Sequence, residues 1–183
     1  MESTESNTPV KETTEINPDD IPDEVTILTP KEVKAISESW KVVYAKKKEN
    51  GVALFIRLFQ SVPGSKSLFK NLDGIDDEEK LRNHPRLKAH GFRVMSSVNS
   101  LIESLEEGEL LVQLLKDLGS SHSKNKVTSS HFDALGPVII WLLQKENGDS
   151  FTPAVKNAWL KGWGVMKSVI VGSLEEAYAK MKT

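Results

Sequence analysis

From Leu28 to the C-terminus the apolar residues return at helical spacing, and no alternation of the kind that makes a half-buried strand persists. That periodicity limits the chain to an all-α fold. "LTPKEVKAISESWKVVYAKK" opens with Thr29 as N-cap, Pro30 at the first helical position and Glu32 three residues after the cap, which is a capping-box pattern. "NGVALFIRLFQSV" sets Val52, Phe55, Phe59 and Val62 on one face and stops at Pro63 and Gly64. The stretch holding "SLFKNLDG" and "DDEEKL" reads as irregular. A further helix is expected from Asn83 or His84 before Pro85 through "RLKAHGFRVMSSVNSLIESL", and another in "GELLVQLLKDLGSSH", where Leu111, Leu115, Leu118 and His122 share a stripe. Two more follow, in "SSHFDALGPVIIWLLQKEN" and "TPAVKNAWLKGWGVMKSVIVGSLEEAYAKM", divided by Asn147, Gly148 and Asp149. Seven or eight helices are expected, with no repeat, heptad seam or Gly-rich phosphate loop.

At 183 residues and 38% hydrophobic content the chain can bury one real core. It has no cysteine, which excludes a disulfide scaffold, a thiolate metal site, a cysteine nucleophile and the CxxCH attachment of c-type haem. No apolar run is long enough to span a bilayer. "MESTESNTPV" has neither the basic nor the apolar region of a signal peptide, and no residue suits a lipid anchor. A cytoplasmic protein is expected.

Charge divides the chain. Residues 1–24 hold eight acids against Lys11 alone, among Ser, Thr, Pro and Asn. Such a segment buries too little apolar surface to offset its ordering entropy, so residues 1–27 are expected to form a disordered acidic extension and residues 28–183 the folded domain. The remaining positive excess is too small and scattered to indicate nucleic acid.

"LKAHGFRVM" raises a specific question, because it puts an ionisable ring and a helix-weakening glycine on a helix face that must be buried. His90 shares its face with Val94 four residues on, and Gly91 adjoins it. His122 closes the apolar stripe of its own helix. Two helices thus each present one imidazole from an apolar surface. A buried neutral imidazole is costly unless both ring nitrogens are satisfied. Either each is bonded to a carbonyl in the core, or a ligand or metal is shared between the rings.

From Thr29 to the C-terminus the chain resembles a globin, and most of all the cytoglobin branch. The resemblance rests on "GVALFIRLFQSVPGSKSLF", "LRNHPRLKAHGFRVM", "LGSSHSKNKV" and "FTPAVKNAWLKGW", which follow the order and separations of the family's B and C, E, F and H segments. It implies a globin fold around a non-covalent haem b. His122 would be the proximal iron ligand, oriented by Ser121 and the Leu118 carbonyl. His90 would be the distal residue, either donating to bound dioxygen or binding the iron itself when no gas is present. Phe69 would wedge against the porphyrin, Phe55 and Val94 would form the distal ceiling, and Val127 would line the proximal corner. Arg93 would meet a haem propionate at the solvent edge, with Lys88 and Lys124 as weaker candidates. Gly51 and Gly91 match the family's close crossing of B and E helices. Trp40, Trp141, Trp159 and Trp163 are assigned to core packing, and His84 and His131 to surface or helix-end roles.

That resemblance implies reversible binding of dioxygen, carbon monoxide and nitric oxide, for storage, transport or sensing, by a monomer or weak homodimer. Two alternatives stand beside it: nitric oxide dioxygenase or nitrite reductase activity with a reductase partner, and a haem-free helical interaction domain. Three residue features depart from the cytoglobin pattern. Lys126 stands where cytoglobins carry a proline before the matching valine, Pro137 falls inside a helix, and the oxidisable cysteine pair is missing.

Overall fold

The computed structural model describes residues 17–69 and 71–182. Seven α-helices carry the fold, with no strand among the described residues: α1 (Pro30–Ala45), α2 (Lys47–Ser61), α3 (Glu78–Asn83), α4 (Pro85–Glu103), α5 (Gly108–His122), α6 (Ser129–Asn147) and α7 (Pro153–Lys180). Each boundary has a local cause. At α1 the Thr29 hydroxyl accepts from the Glu32 amide at 3.2 Å, and the Glu32 carboxylate accepts from the Thr29 amide at 2.8 Å. Proline stands in the first turn of α1, α4 and α7, where its missing N–H is not needed. His84 caps α4, its Nδ1 accepting from the Arg86 amide.

Two segments differ from the sequence expectation. "DDEEKL", read as irregular, supplies the Asp77 cap and the first residues of α3, a helix too short for apolar periodicity to reveal. Residues 1–16 of the expected extension lie outside the described residues, but 17–27 are laid onto the domain. The Asp23 carboxylate accepts from the amides of Val25 and Thr26, at 2.9 and 2.7 Å, and from the Thr26 hydroxyl at 3.0 Å. Thr26 and the following Leu28 are each only 1% exposed. Composition averages over such a turn, in which one acid satisfies local donors and seats a neighbour in the core.

Packing runs in pairs. α2 crosses α4, α5 lies along α7, and α1 packs on both α6 and α7. The core joins Ile36, Trp40, Leu54, Met95, Leu115, Leu142 and Trp159 into one cluster. Trp159 donates to the Ser39 hydroxyl at 2.9 Å and Trp40 to Asn99 Oδ1 at 3.2 Å, so both indoles are buried with their N–H groups satisfied. α6 runs unbroken through Pro137. Lys126 adopts φ 58° in the corner after α5, a left-handed conformation that a proline, fixed near −65°, cannot take.

Candidate functional site

A cavity of about 730 Å³ opens between the α2–α4 pair on one side and the end of α5 with the start of α6 on the other. His90 and His122 both line it. Their surroundings differ.

His122 is the last residue of α5, and its Nδ1 lies 2.8 Å from the carbonyl oxygen of Leu118, one turn back. A carbonyl only accepts, so Nδ1 carries the proton and Nε2 is left with its lone pair. The Ser121 hydroxyl, 3.5 Å from Nδ1, also donates to the Leu118 carbonyl at 2.8 Å. Leu118 is therefore the orienting acceptor, and Ser121 a reinforcement of it. The Phe132 ring meets the imidazole edge-on at 5.4 Å.

His90 sits among aromatics, 4.8 Å from the Phe55 centroid and 5.1 Å from that of Phe69. Among the described residues no hydrogen bond reaches either of its ring nitrogens, and no buried side-chain nitrogen or oxygen is left without a partner. Its nitrogens therefore open to the cavity. Burial first, and then the charge of neighbouring Arg93, pushes the His90 imidazole down to about 4. At neutral pH the ring is uncharged and has a free lone pair.

The crossing beneath His90 is made by glycine. A Cβ built on Gly51 would stand 2.6 Å from the Gly91 carbonyl carbon, and one on Gly91 would stand 2.6 Å from the Gly51 carbonyl carbon. Only backbone can meet backbone at that separation.

Of the residues expected at the site, Phe55, Phe69, His90, Arg93, Val94, His122 and Val127 line the cavity together. Leu118 and Ser121 do not, and act on the His122 ring from behind. Lys88 and Lys124 lie outside the lining, and the Lys88 ammonium is held by Asn83 at 3.1 Å. Their sequence neighbours Arg86 and Asn125 line it instead. Arg86 precedes His90 by one turn and shares its face, whereas Lys88, two residues away, points elsewhere. His131 fills the helix-end role, its Nδ1 accepting from the Thr128 amide at 3.0 Å, and it also lines the cavity. None of the four tryptophans does. No group of three or more His, Asp or Glu side chains that could hold a metal gathers among the described residues.

The globin family model matches residues 52–170, a span that includes both cavity histidines. The chain belongs to the globin family. This globin is 33% identical to cytoglobin-1 of Danio rerio over 141 residues, 76% of its own length and 81% of the relative's. To neuroglobin of Danio rerio it is 27% identical over 153 residues, covering 84% of this chain and 94% of the relative. The fold is also that of a hexacoordinated heme protein from an anhydrobiotic tardigrade, solved at pH 4, with a TM-score of 0.78 at 18% identity over 84% of this globin and 99% of that chain. No helix among the described residues is long and apolar enough to cross a membrane.

Proposed function

We propose that this globin holds a non-covalent haem b between His122 and His90 and binds dioxygen and other diatomic ligands at its iron. The observation that carries the reading is the pair of imidazoles on opposite walls of one cavity, each with a nitrogen no protein group engages. Among the described residues no group of three His, Asp or Glu gathers there, so an iron held by these two imidazoles would need its remaining donors from a macrocycle. The cavity suits a planar apolar ring, with Phe55, Phe69, Val94, Val127 and Phe132 as its walls. The haem supplies reversible coordination of a diatomic ligand.

The chain's residues do the rest. His122, its tautomer fixed by Leu118, would present Nε2 to the iron, and donation from Nδ1–H would make that nitrogen more basic. His90 stays neutral and serves in two ways. It would hold the haem iron from the distal side when no gas is present, and with gas bound its ring N–H would donate to the ligand. Arg93 and Arg86, on the cavity lip, offer counter-charge to the propionates. The aromatic wall of Phe55 and Phe69 excludes water from the distal side.

Cytoglobin-like hexacoordination, cytoplasmic location and a monomer or weak homodimer complete the reading. The likeness to cytoglobin supports the first of these, and the absence of cysteine fits a reducing compartment. Storage, transport or sensing is separated from nitric oxide or nitrite turnover by mixing the oxygenated protein with nitric oxide under continuous reduction, where sustained turnover indicates a reductase-dependent enzyme. The haem itself is tested by titrating purified protein with haemin. A Soret band saturating at one haem per chain is expected, and a protein that takes up none refutes the reading in favour of a haem-free interaction domain.

A further inference from the structure

The packing of α5 on α7 is closer at Gly119 than any side chain allows. A Cβ built there would overlap the Ile170 carbonyl oxygen and lie 3.1 Å from its carbon and 3.0 Å from Ser173 Cβ. The obstacle is backbone, which cannot turn aside. One turn earlier the Ser173 hydroxyl donates to the Lys116 carbonyl oxygen at 2.7 Å, stitching the two helices at the same level. α7 is also held by α1 and α6, whereas among the described residues α5 has no other extensive neighbour than α7. Under strain at this contact α5 is the element that yields.

Gly119 precedes His122 by three residues, which places the two about 60° apart around the helix axis. We propose that Gly119 is a positioning residue: its lack of a side chain sets how far His122 reaches into the cavity. This rests on the reading of His122 as the iron's proximal ligand. A side chain at Gly119 drives α5 away from α7, and at about 60° roughly half of that displacement withdraws His122 from the cavity. The ring cannot make up the loss by swinging inward, because its Nδ1 is tied to Leu118 on the same retreating helix. The residue therefore governs the strength of the proximal bond without touching the iron.

The test compares Gly119→Ala with Gly172→Ala, a control on α7 where an added Cβ meets nothing within 4 Å. Both are loaded with haem, reduced and exposed to nitric oxide, and the electron paramagnetic resonance spectrum is recorded. Nitric oxide weakens the bond opposite to it, so a five-coordinate adduct accumulates when the proximal bond is already stretched. Gly119→Ala is expected to raise the five-coordinate fraction severalfold, and Gly172→Ala to leave it at the wild-type level. A folded, haem-loaded Gly119→Ala with a wild-type spectrum overturns the proposal. If Gly119→Ala does not fold, Ser173→Ala, which removes only the bond to Lys116, is read the same way: a smaller rise supports the proposal and none overturns it. A wild type that binds no haem refutes the functional reading instead. Amide exchange of the apoproteins over residues 108–122 then decides for Gly119, with faster exchange expected in Gly119→Ala than in the control and equal rates overturning it.

Discussion

Gly51 and Gly91 touch through their backbones, and His90 is carried by the residue before that contact. The height of α4 over α2, and with it the position of the distal imidazole, depends on two missing side chains. Gly91→Ala is therefore expected to cost about 2 to 3 kcal/mol, as overpacking of a tight contact does, despite the better helix propensity of alanine. Urea unfolding of the apoprotein measures it. A neutral or stabilising result would mean that the helices separate freely.

His122→Ala is expected to abolish tight haem retention while leaving the fold in place. The substitution removes the oriented proximal nitrogen but none of the buried core. Gel filtration of the loaded variant, with haem and protein absorbance read together, checks this. Full stoichiometry with an unchanged spectrum would show that another residue binds the iron.

The His90 imidazole, lowered to about 4 mainly by burial, gives the apoprotein an acid-sensitive element. In the unfolded chain the ring protonates near its ordinary value of about 6.5, so between that pH and about 4 the unfolded state binds more protons. The stability tied to the neutral ring is present above that window and is lost as pH falls through it. After discounting for the ring's opening to the cavity, the loss should be about 2 kcal/mol. Apoprotein His90→Leu, which has no ring to protonate, should lose less than wild type between pH 7 and 4. Parallel losses would show that His90 is not the group responsible.

Asp23 supplies a test of where the folded domain begins. It accepts from Val25 and Thr26 and seats the turn that delivers Leu28 to the core. Asp23→Ala, or deletion of residues 1–24, is expected to lower stability by about 1 kcal/mol, the usual cost of losing such a cap. A deletion ending at residue 16 spares these contacts and should cost less. Equal thermal midpoints for the two deletions would contradict the role given to Asp23.

Much of this was legible in the sequence because it is written locally. Thr29, Pro30 and Glu32 announce α1 within four residues, and the i, i+3 and i+4 stripes bring His90 and His122 to inner faces without any tertiary information. Arg86 was equally readable, since it lies one turn before His90, and Lys88 was excluded by the same arithmetic. Phe132 and His131 were not, because they reach the cavity through the corner at Lys126, whose left-handed backbone no spacing rule predicts. Asp23 was hidden for a related reason: its effect is a specific turn inside a segment whose average composition resembles that of unstructured chain.

The central claim, iron held between two histidines, is tested most directly by the visible spectrum of the ferrous, gas-free protein, read with its carbon monoxide binding rate. With His90 on the iron, an incoming ligand waits for the imidazole to leave, and apparent affinity falls with the open fraction. Sharp paired visible bands of low-spin haem are expected, with a binding rate that levels off at high carbon monoxide and a plateau abolished in His90→Leu. A single broad visible band, with a rate that stays proportional to carbon monoxide concentration in the wild type, would contradict it.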